Sequence, residues 1–350
     1  MSWEENVRRV EPYVPGEQPK TAGTVIKLNA NEFPYPPTPL VREAMEMLDT
    51  DLLRLYPSST AEPLVEAIAA HYGFEKDEVF VGVGSDDVLA NSFLTFFHSQ
   101  KPILFPDITY SFYDVWAHVY DIPYELQPLG ADFRIVKEDY FKENGGIVIA
   151  NPNAPTGISE PVEAIEEIIK RNPGSVVIID EAYVDFGGES ALLLTRKYNN
   201  VLVVQTFSKS RAFAGMRIGF AVGNKELIRY LNDIKFSVNS YTMNRTAIYY
   251  GIKAVEDEVY FRETLSKVIA TRERCKAELT KLGFACTDTR TNFIFATHKS
   301  IPAKELFTYL KTKQIYVRYF EKPRIDNYLR ITIGTDEQMD ALLMALRAKC

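Results

Sequence analysis

At 350 residues the chain is long enough for one large core or two domains, and 25% charged with 46% hydrophobic residues is the balance of a soluble globular protein. The net charge of −7 gives no general basic face, so neither nucleic acid nor an anionic membrane is an expected partner. Cys275, Cys286 and Cys350 show no CxxC pairing and the four histidines are scattered, which argues against a zinc site, any other metal centre and a disulfide framework. The opening "MSWEENVRRV" has no apolar signal core and no run of eighteen apolar residues occurs, so a cytoplasmic protein is expected.

In chain order, "EPYVPGEQPKTAGT" is rich in Pro and Gly and reads as an extended arm. From about Pro39 short apolar runs recur: "VFVGV" (79–83), "PILF" (102–105), "PYELQPL" (123–129), "GIVIA" (146–150), "VVIID" (176–180), "VLVVQT" (201–206) and "RIGFAVG" (217–223). Helical patterns separate several of them. In "PVEAIEEIIKR", for example, Val162, Ile165, Ile168 and Ile169 share one face, and Pro161 suits a first turn. Continuous apolar strands flanked by helices predict an α/β fold, a mostly parallel seven-stranded sheet covered on both faces. After about Met243, "GIKAVEDEVYFRETLSKVIATRERCKAELTKLGF" reads as one long helix, with Ile252, Val255, Val259, Leu265, Ile269 and Leu279 on a stripe and Gly283 as its stop. "NFIFATH", a helix from about Pro302 to Lys311, "IYVRYF", "YLRITIGT" and a last helix after Asp336 complete a smaller α+β unit. The expected division is residues 1–38 as arm and part of the small domain, 39–245 as the large domain, and 246–350 as linking helix and small domain.

Ligands of open α/β sheets bind outside the carboxyl ends of the strands. Four polar clusters occupy such positions: "GVGSDD" after the first strand, "NPNAPTG" after the fourth, "DEAY" after the fifth and "TFSK" after the sixth. "GVGSDD" lacks the third glycine of the dinucleotide fingerprint; it reads either as a phosphate-holding turn into a helix or as a plain capped turn. "VVIIDE" resembles the magnesium-binding strand of P-loop ATPases, but the chain has no GxxxxGK[ST] loop. Asp180 at the end of so apolar a strand needs a cationic partner. Most lysines are solvated surface charges, but Lys209 sits just past a buried strand, with Arg217 eight residues on to supply a neighbouring cation. Together these residues suggest pyridoxal 5'-phosphate: its aldehyde on Lys209, its phosphate on Ser208, Arg217 and the loop at 84–86, its pyridine nitrogen on Asp180.

Through "PYVPGEQP", "KLNANEFPYPP", "RLYPSS", "GVGSDD", "PDITYSFY", "NPNAPTG", "DEAYVDF", "TFSKSRAFAGMRIGF" and "YLRITIGT", almost the whole chain resembles the fold-type I, pyridoxal-phosphate-dependent aminotransferases of class I/II. The lysine segment with "AGMRIGF" is highly specific for that superfamily, while "LNANEFPYPP" with "PYVPG" points to the branch that acts on histidinol phosphate. The resemblance implies an aspartate-aminotransferase-like architecture and a ping-pong cycle in which Lys209 forms the internal aldimine. Asp180 would keep the pyridine nitrogen protonated, Tyr183 would bond the phenolic oxygen, and Tyr110 would stack on the ring. Ser85, Asp86, Thr206, Ser208 and Arg217 would hold the phosphate, and Tyr56 would reach the neighbouring subunit's phosphate in a homodimer with shared active sites. Arg318 and Arg330 would bind the acid group of the substrate, with Tyr13 and Asn31 closing the pocket. The family has Asn immediately before Pro-Thr-Gly; here that position is Ala154, and Asn153, one residue earlier, is the candidate replacement. The small-molecule partners implied are an amino donor, histidinol phosphate, and the acceptor 2-oxoglutarate, as in histidine biosynthesis. The rival readings are an aromatic amino acid aminotransferase, a lyase resembling threonine-phosphate decarboxylase, and a non-enzymatic cofactor-binding module.

Overall fold

The computed structural model describes residues 2–13, 16–19 and 25–350; positions 14, 15 and 20–24 of the expected extended arm lie outside the described residues. The strands are β1 (Ile26–Leu28), β2 (Val79–Gly82), β3 (Ile103–Pro106), β4 (Tyr124–Gln127), β5 (Gly146–Ala150), β6 (Val177–Asp180), β7 (Val201–Thr206), β8 (Gly219–Gly223), β9 (Phe284–Cys286), β10 (Phe293–His298), β11 (Ile315–Tyr319) and β12 (Leu329–Thr332).

A seven-stranded sheet runs in the order β2-β8-β7-β6-β5-β3-β4. The neighbours from β7 to β4 pair in parallel, and β8 is antiparallel to both β7 and β2. Every residue of β5, β6 and β7 is buried, which is why these segments read as unbroken apolar runs rather than alternating ones. The two faces feed separate cores. Ile147, Ile149, Val177, Ile179, Val201 and Val203 pack on one side, and Val148, Ala150, Ile178, Leu202 and Val204 on the other. Each such large aliphatic side chain contributes about 1.5–3 kcal/mol on burial. Helix Val162–Arg171 covers one face through Ile165, Ile168 and Ile169.

A five-stranded sheet, in the order β1-β11-β12-β10-β9, has its own core of Leu28, Phe293, Ile294, Val317, Ile331 and Leu342. Its β1 comes from the N-terminal segment and pairs in parallel with β11, Ile26 opposite Ile315.

One expected element differs. The single long helix is two, Arg245–Glu256 and Glu258–Lys281, broken at Asp257, whose carboxylate accepts from the Tyr260 N–H at 3.1 Å as the second helix's N-cap. Val259 falls in the first turn of the second helix and off the apolar stripe: it is 80% exposed, while Val268, Cys275 and Leu279 are buried.

Candidate active site

The carboxyl ends of β5, β6 and β7 lie level, because Ala150 pairs in register with Asp180, and Asp180 with Val204. Strand β8 runs the opposite way, so its beginning, not its end, reaches the same edge: Gly219 lies between Gly82 of β2 and Thr206 of β7. That reversal brings Arg217 to the polar clusters of the parallel strands. The result is a pocket with about 560 Å³ of atom-free space, lined by Ser85, Asp86, Tyr110, Asp180, Tyr183, Thr206, Ser208, Lys209 and Arg217, with Ala150, Pro152, Ala154 and Ala182.

At the pocket floor Asp180 Oδ2 accepts from the Tyr113 hydroxyl at 2.8 Å and Oδ1 from the Ala182 N–H at 3.2 Å. Burial pushes its carboxyl up to about 6, against those two hydrogen bonds. The Lys209 ammonium lies 5.6 Å from the centre of the Tyr183 ring, and among the described residues no carboxylate comes within 4.0 Å of it. A buried anion and an uncommitted amine thus share one cavity.

At the other end, helix Ser85–Phe96 begins on Gly84, which offers no side-chain cap, so its first N–H groups face the pocket unclaimed by a cap. Gly84 takes φ +84°, and a Cβ there would strike the Arg217 guanidinium. Arg217 Nη1 donates to Ser208 Oγ at 3.2 Å and Nη2 to Asp86 Oδ2 at 3.2 Å, while the Tyr110 hydroxyl donates to Asp86 Oδ1 at 2.8 Å. Thr206 Oγ1 accepts from the Ser208 N–H at 3.1 Å, which fixes the turn carrying Ser208 and Lys209. The second acid of the pair, Asp87, points back and accepts from the Val83 N–H at 2.9 Å. These donors make a cradle for a dianion, and the set as a whole fits pyridoxal phosphate: anion acceptor at one end, buried carboxylate at the other, amine between.

A wider cleft adjoins through Thr109 and Pro155, the chain neighbours of Tyr110 and Ala154, and is lined by Tyr13 and Arg318. Tyr13 stacks on Phe112 with ring centres 4.2 Å apart. Arg318 and Arg330 face each other in register on β11 and β12. Arg330 Nη2 donates to the Asn29 carbonyl at 3.1 Å, its Nε is buried without a partner, and burial draws its guanidinium below the usual range. β12 is interior to its sheet, so Arg330 is not an edge charge. Neither arginine has a carboxylate within 4.0 Å among the described residues.

Asn31 holds the Tyr183 hydroxyl, donating from Nδ2 at 2.8 Å. Asn153 stands apart from the pocket: its amide nitrogen donates to the Ile108 carbonyl (2.9 Å) and Thr156 Oγ1 (3.0 Å), and its oxygen accepts from Thr109 (2.8 Å), so the loop uses the amide and Ala154 faces the cavity. Tyr56 is also outside the pocket of its own chain, 78% exposed and stacked on Tyr241 with centres 4.6 Å apart. Sequence reasoning missed Tyr113, whose only signal is its place three residues after Tyr110 at the start of helix Tyr113–Val119, and Thr332, which shares a strand face with Arg330.

The aminotransferase class I and II family model matches residues 23–346. A histidinol-phosphate aminotransferase of Lactococcus lactis subsp. cremoris is 50% identical over 347 residues, 99% of this chain and 97% of its own. One from Hydrogenovibrio crunogenus is 52% identical over 344 residues, 98% of this chain and 96% of its own. The solved histidinol-phosphate aminotransferase of Sinorhizobium meliloti in complex with pyridoxal-5'-phosphate has the same fold, with a TM-score of 0.84 at 22% identity over 93% of this chain and 92% of that one. Seven strands in this order, a lysine and a buried aspartate in one pocket, and half of all residues shared along nearly the whole length lead to one assignment: the chain belongs to the class I and II aminotransferases, in the histidinol-phosphate aminotransferase branch.

Proposed function

We propose that the chain is a pyridoxal-phosphate-dependent transferase that converts histidinol phosphate and 2-oxoglutarate to imidazole-acetol phosphate and glutamate. The observation that carries this reading is the buried Asp180 carboxylate lining the same pocket as Lys209. When bound, pyridoxal phosphate supplies a ring that accepts the electron pair left as the substrate Cα loses its proton.

Asp180 would hold the ring nitrogen and favour its protonated form, since a desolvated carboxylate is stabilised most by a directly bonded cation. Lys209, an amine without a carboxylate partner among the described residues, would be the group to take and return the substrate proton. Tyr183 would offer its hydroxyl to the ring's phenolic oxygen, and Tyr110, lining the same pocket, would pack against the ring. The N–H groups of Ser85 and Asp86, the Thr206 and Ser208 hydroxyls and the Arg217 fork would hold the phosphate. Arg318 and Arg330 bind the substrate's anionic group, phosphate in one half-reaction and carboxylate in the other, so donor and acceptor occupy the cleft in turn.

The active unit in this reading is a cytoplasmic homodimer. Leu52, Leu53, Leu55 and Tyr56 form one exposed apolar stretch, and Tyr56 from one subunit completes the phosphate site of the other. Among the described residues no helix is long and apolar enough to cross a membrane. The large sheet with residues 39–245 forms the cofactor-binding domain, and residues 246–350 with the N-terminal strand form the small one.

A substrate panel tests the reading. Histidinol phosphate with 2-oxoglutarate is expected to give the highest kcat/KM, with phenylalanine far lower and no carbon dioxide from threonine phosphate. Lys209→Ala should neither turn over nor give the visible absorbance of the loaded protein; full turnover by that variant would end the proposal.

A further inference from the structure

The cofactor reading leaves the ring's phenolic oxygen with one side-chain donor, Tyr183, because Ala154 has no amide and the Asn153 amide is committed within its loop. A tyrosine hydroxyl has a single proton that can swing between directions. What sets its direction here is a buried relay behind the ring. The Asn31 N–H donates to Thr332 Oγ1 at 3.0 Å, so the Thr332 proton is directed to Asn31 Oδ1, 3.1 Å away. That fixes which end of the amide is oxygen, and Nδ2 faces the Tyr183 hydroxyl at 2.8 Å. Asn292 Nδ2 donates to the Asn31 carbonyl at 2.9 Å and holds the backbone, which takes φ +54°. Asn31, Asn292 and Thr332 are 2%, 0% and 3% exposed, so water does not compete.

We propose that Asn31 is a positioning residue for Tyr183: by donating to the tyrosine oxygen it turns the tyrosine's own proton into the pocket, in place of the amide donor that Ala154 lacks. The Tyr183 hydroxyl has no other hydrogen-bond partner among the described residues, so its proton has only the pocket to go to. Donation into the hydroxyl also polarises it and strengthens its outgoing bond. A strong donor on the phenolic oxygen weakens that oxygen's hold on the neighbouring proton of the Lys209 nitrogen, so the loaded protein loses that proton at lower pH. The charged groups around Tyr183 are Lys209 from the turn after β7, Asp180 from β6, and Arg330 from β12 with Arg318 beside it on β11.

This inference rests on the cofactor reading, and one titration separates the two. Protein loaded with pyridoxal phosphate is titrated by visible absorbance without substrate. Glycine suits the positive φ, so Asn31→Gly removes the amide without straining the backbone. The expected result is a midpoint raised by about one pH unit in Asn31→Gly and in the same direction in Thr332→Val. In a Tyr183→Phe background neither substitution should move it further. A residue that only closes the substrate cleft would change KM and leave this substrate-free midpoint alone. An unchanged midpoint in Asn31→Gly, or an equal shift with and without the Tyr183 hydroxyl, overturns the positioning role while the cofactor reading stands. Failure of the unmodified chain to develop the absorbance overturns both.

Discussion

The hydroxyl of Tyr113 donates a 2.8 Å hydrogen bond to Asp180, and both side chains are buried. Burial raises the Asp180 carboxyl from 3.8 to about 6, so the folded chain without cofactor holds that proton more tightly than the unfolded chain does. The stabilising contribution is then fully present below about pH 4 and is lost as pH rises through about 6. Glu181, raised to about 7 by burial, adds to the loss in the same direction. Asp180→Asn should therefore melt higher than the parent apoprotein at pH 8, by about 3 kcal/mol of stability, with the gap closing toward pH 4. Pyridoxal phosphate should reverse the order by stabilising the parent and not the variant. Paired thermal melts at two pH values check this, and equal melting of the two apoproteins at pH 8 would refute it.

Arg217 reaches Ser208 with one terminal nitrogen and Asp86 with the other, a fork held open across the mouth of a helix N-terminus. A lysine keeps the charge and loses the second, coplanar donor. Arg217→Lys is expected to weaken pyridoxal phosphate binding at least about tenfold, as measured by titrating apoprotein. Pyridoxal without its phosphate should bind the two proteins alike. A loss of affinity for both forms would place Arg217 outside the phosphate site.

Arg318 and Arg330 stand opposite one another on paired strands, and among the described residues no carboxylate lies within 4.0 Å of either. Like charges directly across a ladder are destabilising unless an anion bridges them. Arg330→Met should leave the apoprotein as stable as the parent or slightly more so, since an apolar replacement relieves both repulsion and desolvation. Its kcat/KM for histidinol phosphate should fall by about a hundredfold or more, the cost of one lost charge-assisted pair. Inorganic phosphate should raise the melting temperature of the parent more than that of the variant, and an equal rise would argue against the anion site.

Much of this was legible in the sequence because it follows from local rules. Strands buried on both faces show as unbroken apolar runs, and polar residues just past them fall at one edge when the strands are parallel. Lys209 and Asp180 are found that way. Arg217 is named from its spacing to Lys209, but why it meets the cluster shows only in the reversed direction of β8. The three-residue β1 is too short to leave a pattern, and it forms because β11 offers an edge far away in the chain. The helix break at Asp257 hides inside a continuous helical composition; a single capping carboxylate decides it. The contact of Asn31 with Tyr183 spans 152 residues, and Asn153 turns from the pocket because Ile108 and Thr109 of one distant loop and Thr156 of its own loop satisfy its amide. No periodicity records such pairings.

Gly219 opens β8 where that strand meets the start of the phosphate cradle. A Cβ built there would overlap the backbone of Gly84 and Ser85, atoms that cannot swing aside as a flexible side chain can. Gly219→Ala should push helix Ser85–Phe96 away from Arg217, costing about 1–3 kcal/mol of stability and weakening cofactor binding as well. The control is four residues earlier. Gly215 has nothing within 4 Å of its Cβ position, so Gly215→Ala should stay within about 0.5 kcal/mol of the parent. Melting temperatures with and without pyridoxal phosphate give both numbers, the intrinsic loss from the apoprotein and the lost grip from the smaller ligand-induced rise. If Gly219→Ala melts with the parent in both states, the backbone approach of β8 to the helix start is not what shapes the cradle.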